Sequence, residues 1–193
     1  MVFIGTVAET GNRKQAFHWG RIGDPILPSA YDYYALSKIA AERYVMESGL
    51  RHWVSLRQTG VMHNNLLEVN DGIAYHQPLN NHLEWVTAKD SGKLLVNLCS
   101  FDLPESFWRK AYNIGGGAPC RLTAYELLEK MYGMMGVRVE QLEEPNWYAR
   151  RNFHGHYYYD SDDLNEILKF RTQTVDDVIA EIKRKLPLPI RLL

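Results

Sequence analysis

The sequence predicts an α/β fold with part of its sheet parallel, and three stretches carry that expectation. Val2 to Thr6 is a short β-branched and aromatic run closed by a glycine-containing turn, the pattern of a buried strand. Asp32 to Glu47 follows a helical pattern, with Gly49 where a C′ glycine ends a helix. His52 to Gln58 alternates and holds Trp53, Val54 and Leu56, so a second strand is expected there.

The remaining elements follow in order. Residues 11–30 form a polar loop with glycine and proline, and a strand this near residue 1 suggests a chain that begins in mid-fold. Residues 60–84 are irregular and rich in Asn and His, a surface or site-lining loop. Trp85 and Val86 suggest a short strand, and Leu94, Leu95 and Leu98 give Asp90 to Cys99 helical spacing. Ala111 to Ile114 reads as a strand halted by Gly115, Gly116 and Gly117. Thr123 and Glu126 form a capping-box signature for a helix reaching Gly136. Val137 to Leu142 alternates like a strand, residues 146–159 form an aromatic and basic loop, and Ser161 and Thr174 each open a short helix. Tyr157, Tyr158 and Tyr159 fit a strand-like packing element. No internal repeat or low-complexity tract interrupts the chain.

With 193 residues, 46% hydrophobic and 23% charged, the chain can bury one sizeable core and does not have a disordered composition. The net charge of −1 is interspersed, which argues against a nucleic-acid partner or an anionic membrane surface. The basic end, Lys183, Arg184, Lys185 and Arg191, suits a helix C-terminus. Cys99 and Cys120 give neither a disulfide framework nor a metal spacing, so a reduced, cytoplasmic setting is expected. No apolar run approaches a membrane span, and the first four residues are too short for a signal peptide.

The chemistry concentrates at Tyr34 and Lys38. Four residues apart on a helix, a phenol and an ammonium share one face. A neighbouring ammonium favours phenolate, which makes a tyrosine able to exchange a proton with a substrate hydroxyl near neutral pH. In a chain with 12 tyrosines the spacing alone discriminates little. Its flanks discriminate more.

Thr6 ends a buried strand just before Gly11, Tyr34 and Lys38 open the following helix, and the next strand runs into Arg57, Gln58, Thr59 and Gly60. Further on come Trp85, Val86 and Asp90, then Tyr112, Asn113, Ile114 and Gly115 before Thr123, then Asp162, Leu164, Phe170 and Thr174. In that order these landmarks resemble the C-terminal part of an extended short-chain dehydrogenase/reductase, the NAD-dependent epimerase/dehydratase family, across nearly the whole chain. The resemblance implies a partial Rossmann-like, doubly wound sheet in residues 1–60, and a small α+β substrate-binding lobe of interleaved elements in residues 61–193.

It also implies roles. Tyr34 would be the acid/base, Lys38 would hold the nicotinamide ribose of NAD or NADP, and Thr6 would orient the reacting oxygen. Arg57 and Thr59 would lie on the cofactor side. The substrate would be a nucleotide sugar or a related hydroxyl compound, and the helix of Tyr34 would lie at a homodimer interface.

The sequence departs from the family where the cofactor pyrophosphate binds. Residues 1–60 lack the glycine-rich strand–turn–helix, and the acidic ribose reader that follows it is missing too. Thr10 stands where many members have Tyr, and Thr59 where many have Asn or Pro. These residues are therefore expected to be a fragment or separate C-terminal half. The alternative is a non-catalytic interaction module with an open sheet edge.

Other candidates rest on residue type. His63 and Asn64 follow the post-helix strand and could meet substrate. Arg150 and Arg151 could clamp a diphosphate, because guanidinium forks match phosphate oxygens. His154 and His156 lack a carboxylate or cysteine at a helpful offset, so no metal is expected.

Overall fold

The computed structural model describes residues 1–66, 72–187 and 189. Arg191, and the part of the expected 60–84 loop from 67 to 71, lie outside the described residues.

A parallel three-stranded sheet is built from β1 (Val2–Thr6), β3 (Val54–Gln58) and β7 (Lys110–Ile114), in the order β1-β3-β7. Val2 pairs with Val54 and Val54 with Lys110, so β3 is the middle strand. Both its faces are covered, which explains its mixed sequence. Val54 and Leu56 enter the main core with Val86, Leu94, Phe107, Ile114, Leu164 and Phe170. Ser55 and Arg57, on the opposite face, are buried against helix α1 (Tyr33–Met46).

α1 runs between β1 and β3. Asp32 caps it, Oδ1 accepting from the Ala35 N–H at 2.8 Å, and Gly49 beyond its end has a φ of +70°. The helix buries only Ala35, Glu42 and Val45, and leaves Tyr33, Tyr34, Leu36 and Tyr44 exposed.

The rest of the chain interleaves with this sheet. Short pairs join β2 (Trp19–Gly20) to β9 (Tyr157–Tyr158), β4 (Val61–Met62) to β6 (Val86–Thr87), and β5 (His82–Glu84) to β8 (Arg121–Thr123). Helix α2 (Ala88–Ser100) and α4 (Ser161–Leu168) pack on each other, and α4 also on β7. Helix α3 (Ala124–Gly133) has the expected capping box at Thr123 and Glu126. Helix α5 (Val175–Lys185), with its own capping box at Thr174 and Asp177, shares a second core of Met62, Cys120, Leu127, Val178 and Ile182. Lys183, Arg184 and Lys185 occupy its last turn, where the helix dipole favours cations.

One local expectation changes. Val137 to Leu142 is not a strand: it holds a single 3-10 turn, Val139–Gln141, closed by the Arg138 N–H donating to Gln141 Oε1 at 2.8 Å. Val139 is buried as the alternation suggests, yet among the described residues no strand pairs with it. Ser161 starts α4 as expected, and its hydroxyl donates to Glu84. The 11–30 loop also does more than connect. It crosses to the second half of the chain through a bridge between Arg13 and Phe153 and through the Ile22 N–H donating to Asp160.

Candidate active site

The site assembles at the C-terminal end of β1. Thr6 closes that strand and caps a 3-10 turn, Val7–Thr10, its Oγ1 accepting from the Ala8 N–H at 3.3 Å. Glu9 completes the capping box by accepting from the Thr6 N–H at 3.1 Å. Thr6 is 7% exposed, with its backbone locked on both sides.

Tyr34 and Lys38 stand one turn apart on α1, and the ammonium lies 5.8 Å from the centre of the Tyr34 ring. Lys38 Nζ also donates to the Ile4 carbonyl at 2.9 Å and sits 5.4 Å from the Phe3 ring. The Met1 carbonyl accepts from the Val54 N–H, so strand alternation turns the Ile4 carbonyl to the other edge of β1. Among the described residues that edge has no strand beside it. Lys38 therefore bridges the tyrosine ring and the open sheet edge, two residues (roughly 6.6 Å) before Thr6. Tyr34 is 56% exposed above it.

Glu42 continues the same helical ridge, four residues after Lys38. Its carboxylate accepts from Ser55 Oγ at 2.5 Å and from Arg57 Nε and Nη2 at 3.1 and 2.7 Å. Glu9 Oε2 lies 3.1 Å from Arg57 Nε, so two buried carboxylates share one guanidinium. Burial, then the charge of Glu42, pushes the Glu9 carboxyl up to about 7 despite Arg57. Burial also pushes Glu42 up, but Arg57 and Ser55 outweigh it and the net shift is downward. Arg57 is thus buried among these carboxylates and the Ile22 carbonyl, which gives it a structural role at this site rather than a free face for a cofactor. Thr59 is buried as well.

The chain also encloses a cavity of about 430 Å³. Val7, directly after Thr6, and Gly60, beyond the end of β3, form one wall, which puts the cavity at the carboxyl ends of parallel strands. His154 lines it and stacks on His76 with ring centres 4.5 Å apart. Burial, then His76, lowers the His154 pKa to about 4, while Asp32 at the start of α1 pulls the other way.

The other candidates are elsewhere. His63 and Asn64 line a separate pocket of about 220 Å³ with Lys89 and Glu181. Arg150 and Arg151 are exposed and do not line the large cavity. His156 is buried against Tyr158, away from the His154 stack, and burial lowers its pKa to about 3. Among the described residues no three His, Cys, Asp or Glu side chains gather to hold a metal.

Glu9 and the cavity were not anticipated. Thr6 and Glu9 carry the same capping-box spacing as Thr123 and Glu126, so that signal was readable. The cavity wall of Leu83, Trp85, Leu127 and Met131 comes from separate segments, and no local pattern joins them.

No protein-family model matches the sequence, and no curated protein does. Solved structures match its fold. A dTDP-glucose 4,6-dehydratase from Bacillus anthracis in complex with NAD superposes with a TM-score of 0.67 at 15% identity, over 95% of this chain and 60% of that one. The dTDP-glucose 4,6-dehydratase from Streptomyces venezuelae, with NAD bound, gives 0.66 at 22% identity, over 95% and 58%. A UDP-glucuronic acid 4-epimerase from Bacillus cereus, in complex with UDP-glucuronic acid and NAD, gives 0.65 at 14% identity, over 95% and 60%. The chain thus spans about three-fifths of the length of these neighbours. Over that length its fold is the one found in these NAD-bound dehydratases and epimerase.

Proposed function

We propose that these residues are the substrate-side part of an NAD(P)-linked epimerase, dehydratase or reductase acting on a nucleotide sugar or a similar hydroxyl compound. The observation that carries the reading is the Tyr34 ring and Lys38 ammonium held together at the β1 edge, with Val7, just past the end of that strand, lining a cavity.

Tyr34 would take or return the hydroxyl proton, and Lys38 would hold the nicotinamide ribose. Thr6 would orient the reacting oxygen, a positioning role open to a hydroxyl at a strand end. When bound, the nicotinamide supplies the hydride acceptor or donor. The nicotinamide end of a cofactor fits the donors at Lys38 and Thr6. The pyrophosphate end does not find a cradle in Gly115, Gly116 and Gly117, because Glu84, Cys120 and Arg171 fill the space a side chain there would need.

Two measurements test the reading. In a full-length protein carrying these residues, Tyr34→Phe should lower nicotinamide-linked turnover by about 10²–10⁴-fold; undiminished turnover removes Tyr34 from the chemistry. This chain alone should show no saturable NADH fluorescence change below about 1 mM. Micromolar binding would mean that a cradle exists within these residues.

A second reading is favoured by the open edge of β1 and by Tyr33 and Tyr44, which lie exposed on α1. Under it the chain is a binding or interaction module, paired as a homodimer through α1. Sedimentation of the chain as a monomer would remove that reading. No helix of the described residues is long and apolar enough to cross a membrane. A cytoplasmic setting, with Cys99 and Cys120 reduced, belongs to either proposal.

A further inference from the structure

We infer that the large cavity takes the uncharged, largely apolar body of a neutral alcohol or ketone built on an aromatic or alicyclic ring, and not the diphosphate of a nucleotide sugar. The inference rests on the reading above and narrows its substrate.

The cavity wall argues for it. Leu66, Leu83, Trp85, Leu127, Leu128 and Met131 are among the lining residues, and among the described residues around it there is no Asp, Glu, Lys or Arg. Of the polar groups present, the Trp85 indole N–H is buried without a partner, a single neutral donor for a hydroxyl or carbonyl oxygen, and Asn81 is already engaged. Asn81 donates to Gln77 Oε1 at 2.8 Å and accepts from the Gly155 N–H at 3.1 Å. His154 is held neutral by burial.

A diphosphate entering this space would shed its hydration with no cation to replace it, a cost the site does not offset. A ring gains in proportion to the apolar area it removes from water. At about 430 Å³ the volume falls within the range of small-molecule sites, roughly 300–1,000 Å³. Of the cationic side chains near the lining in sequence, Lys130, beside Met131, is paired with Asp176 at 2.6 Å, and Arg150 and Arg151, after Tyr148, are exposed. The hydroxyl or carbonyl end of the ligand would face Val7, the residue after Thr6.

The test uses this chain and three neutral probes, α-tetralone, 2-naphthol and menthone, with UDP-glucose as the charged comparator, followed by calorimetry and thermal shift. At least one neutral probe should bind once per chain with a Kd below about 1 mM, unaffected by salt, while UDP-glucose shows no saturation. Leu128→Lys, which adds a cation to the wall, and Ala124→Leu, which fills it, should each weaken that binding by at least about tenfold. If Leu128→Lys does not fold, Ala124→Leu alone decides.

The inference is overturned by any of three results. These are no saturable binding of any neutral probe, neutral binding that Ala124→Leu leaves unchanged, or one-site UDP-glucose binding that Ala124→Leu weakens. None of these outcomes touches the Tyr34→Phe result, so failure of the substrate class and failure of the proposed chemistry are read separately.

Discussion

Residues 1–60 and 61–193 each bury a carboxylate–arginine cluster, and the two are balanced differently. In residues 61–193 Glu84 is fully buried and surrounded by donors: the Gly117 and Tyr158 N–H groups at 3.0 and 3.1 Å, Arg121 Nε at 2.8 Å and Ser161 Oγ at 2.6 Å. Arg171 stands 3.8 Å away. One carboxylate thus joins β5, the glycine turn, β8, β9 and α4. Under the sheet, Glu9 and Glu42 compete for Arg57, and a proton must balance the surplus negative charge. The first arrangement is an assembly point. The second is an assembly point that also responds to pH, and it holds the helix ridge carrying Tyr34 and Lys38.

Removing the centre of the saturated cluster should have the larger effect. Glu84→Ala leaves Arg121 and Arg171 without their shared carboxylate and frees several buried donors. It should cost about 3–5 kcal/mol in denaturant unfolding. A loss under about 1 kcal/mol would mean that water or rearranged side chains replace the carboxylate, and the contrast between the clusters would collapse.

The balanced cluster should respond to pH instead. Glu9 rises from 4.5 to about 7 on folding, so the folded state binds its proton more tightly than the unfolded chain does. The stability this contributes is fully present below pH 4.5 and is lost as pH rises through about 7, an effect on the order of 2–3 kcal/mol. His154 and His156, lowered from 6.5 to about 4 and about 3, act with the opposite sign: their cost appears as pH falls below 6.5. The difference between Glu9→Gln and the unmutated chain cancels the histidines. Measured by unfolding from pH 4.5 to 7.5, Glu9→Gln should gain relative stability steadily up to about pH 7 and then level off. A flat difference would show that the two carboxylates do not share a proton.

These clusters mark where the sequence stops being legible. The sheet strands and all the long helices follow from local pattern, because periodicity and caps such as Asp32, Thr123 and Thr174 act within a few residues. The spacing of Tyr34 and Lys38 is equally local. The resemblance puts Arg57 on the cofactor side, and only the approach of Glu9 and Glu42 from two other elements decides that it is a buried partner. Glu84 gives no signal at all in a three-residue strand. Val139 shows the converse: a real alternation without a neighbouring strand becomes a turn. Pairing across the chain is what the sequence leaves unwritten.

The smallest expected effect is at Tyr34, which belongs to neither cluster. The Tyr34 ring is more than half exposed, and Tyr34→Phe deletes one hydroxyl without opening a cavity or orphaning a buried group. Its unfolding free energy should stay within about 0.5 kcal/mol of the unmutated chain. A large loss would mean that the phenol is part of the fold, and any drop in turnover for the full-length protein would then report structure instead of proton transfer. With stability unchanged, the same substitution isolates the hydroxyl itself. The ridge of α1 would then be held by Glu42 beneath the sheet and by Lys38 on the Ile4 carbonyl, leaving Tyr34 free to serve chemistry alone.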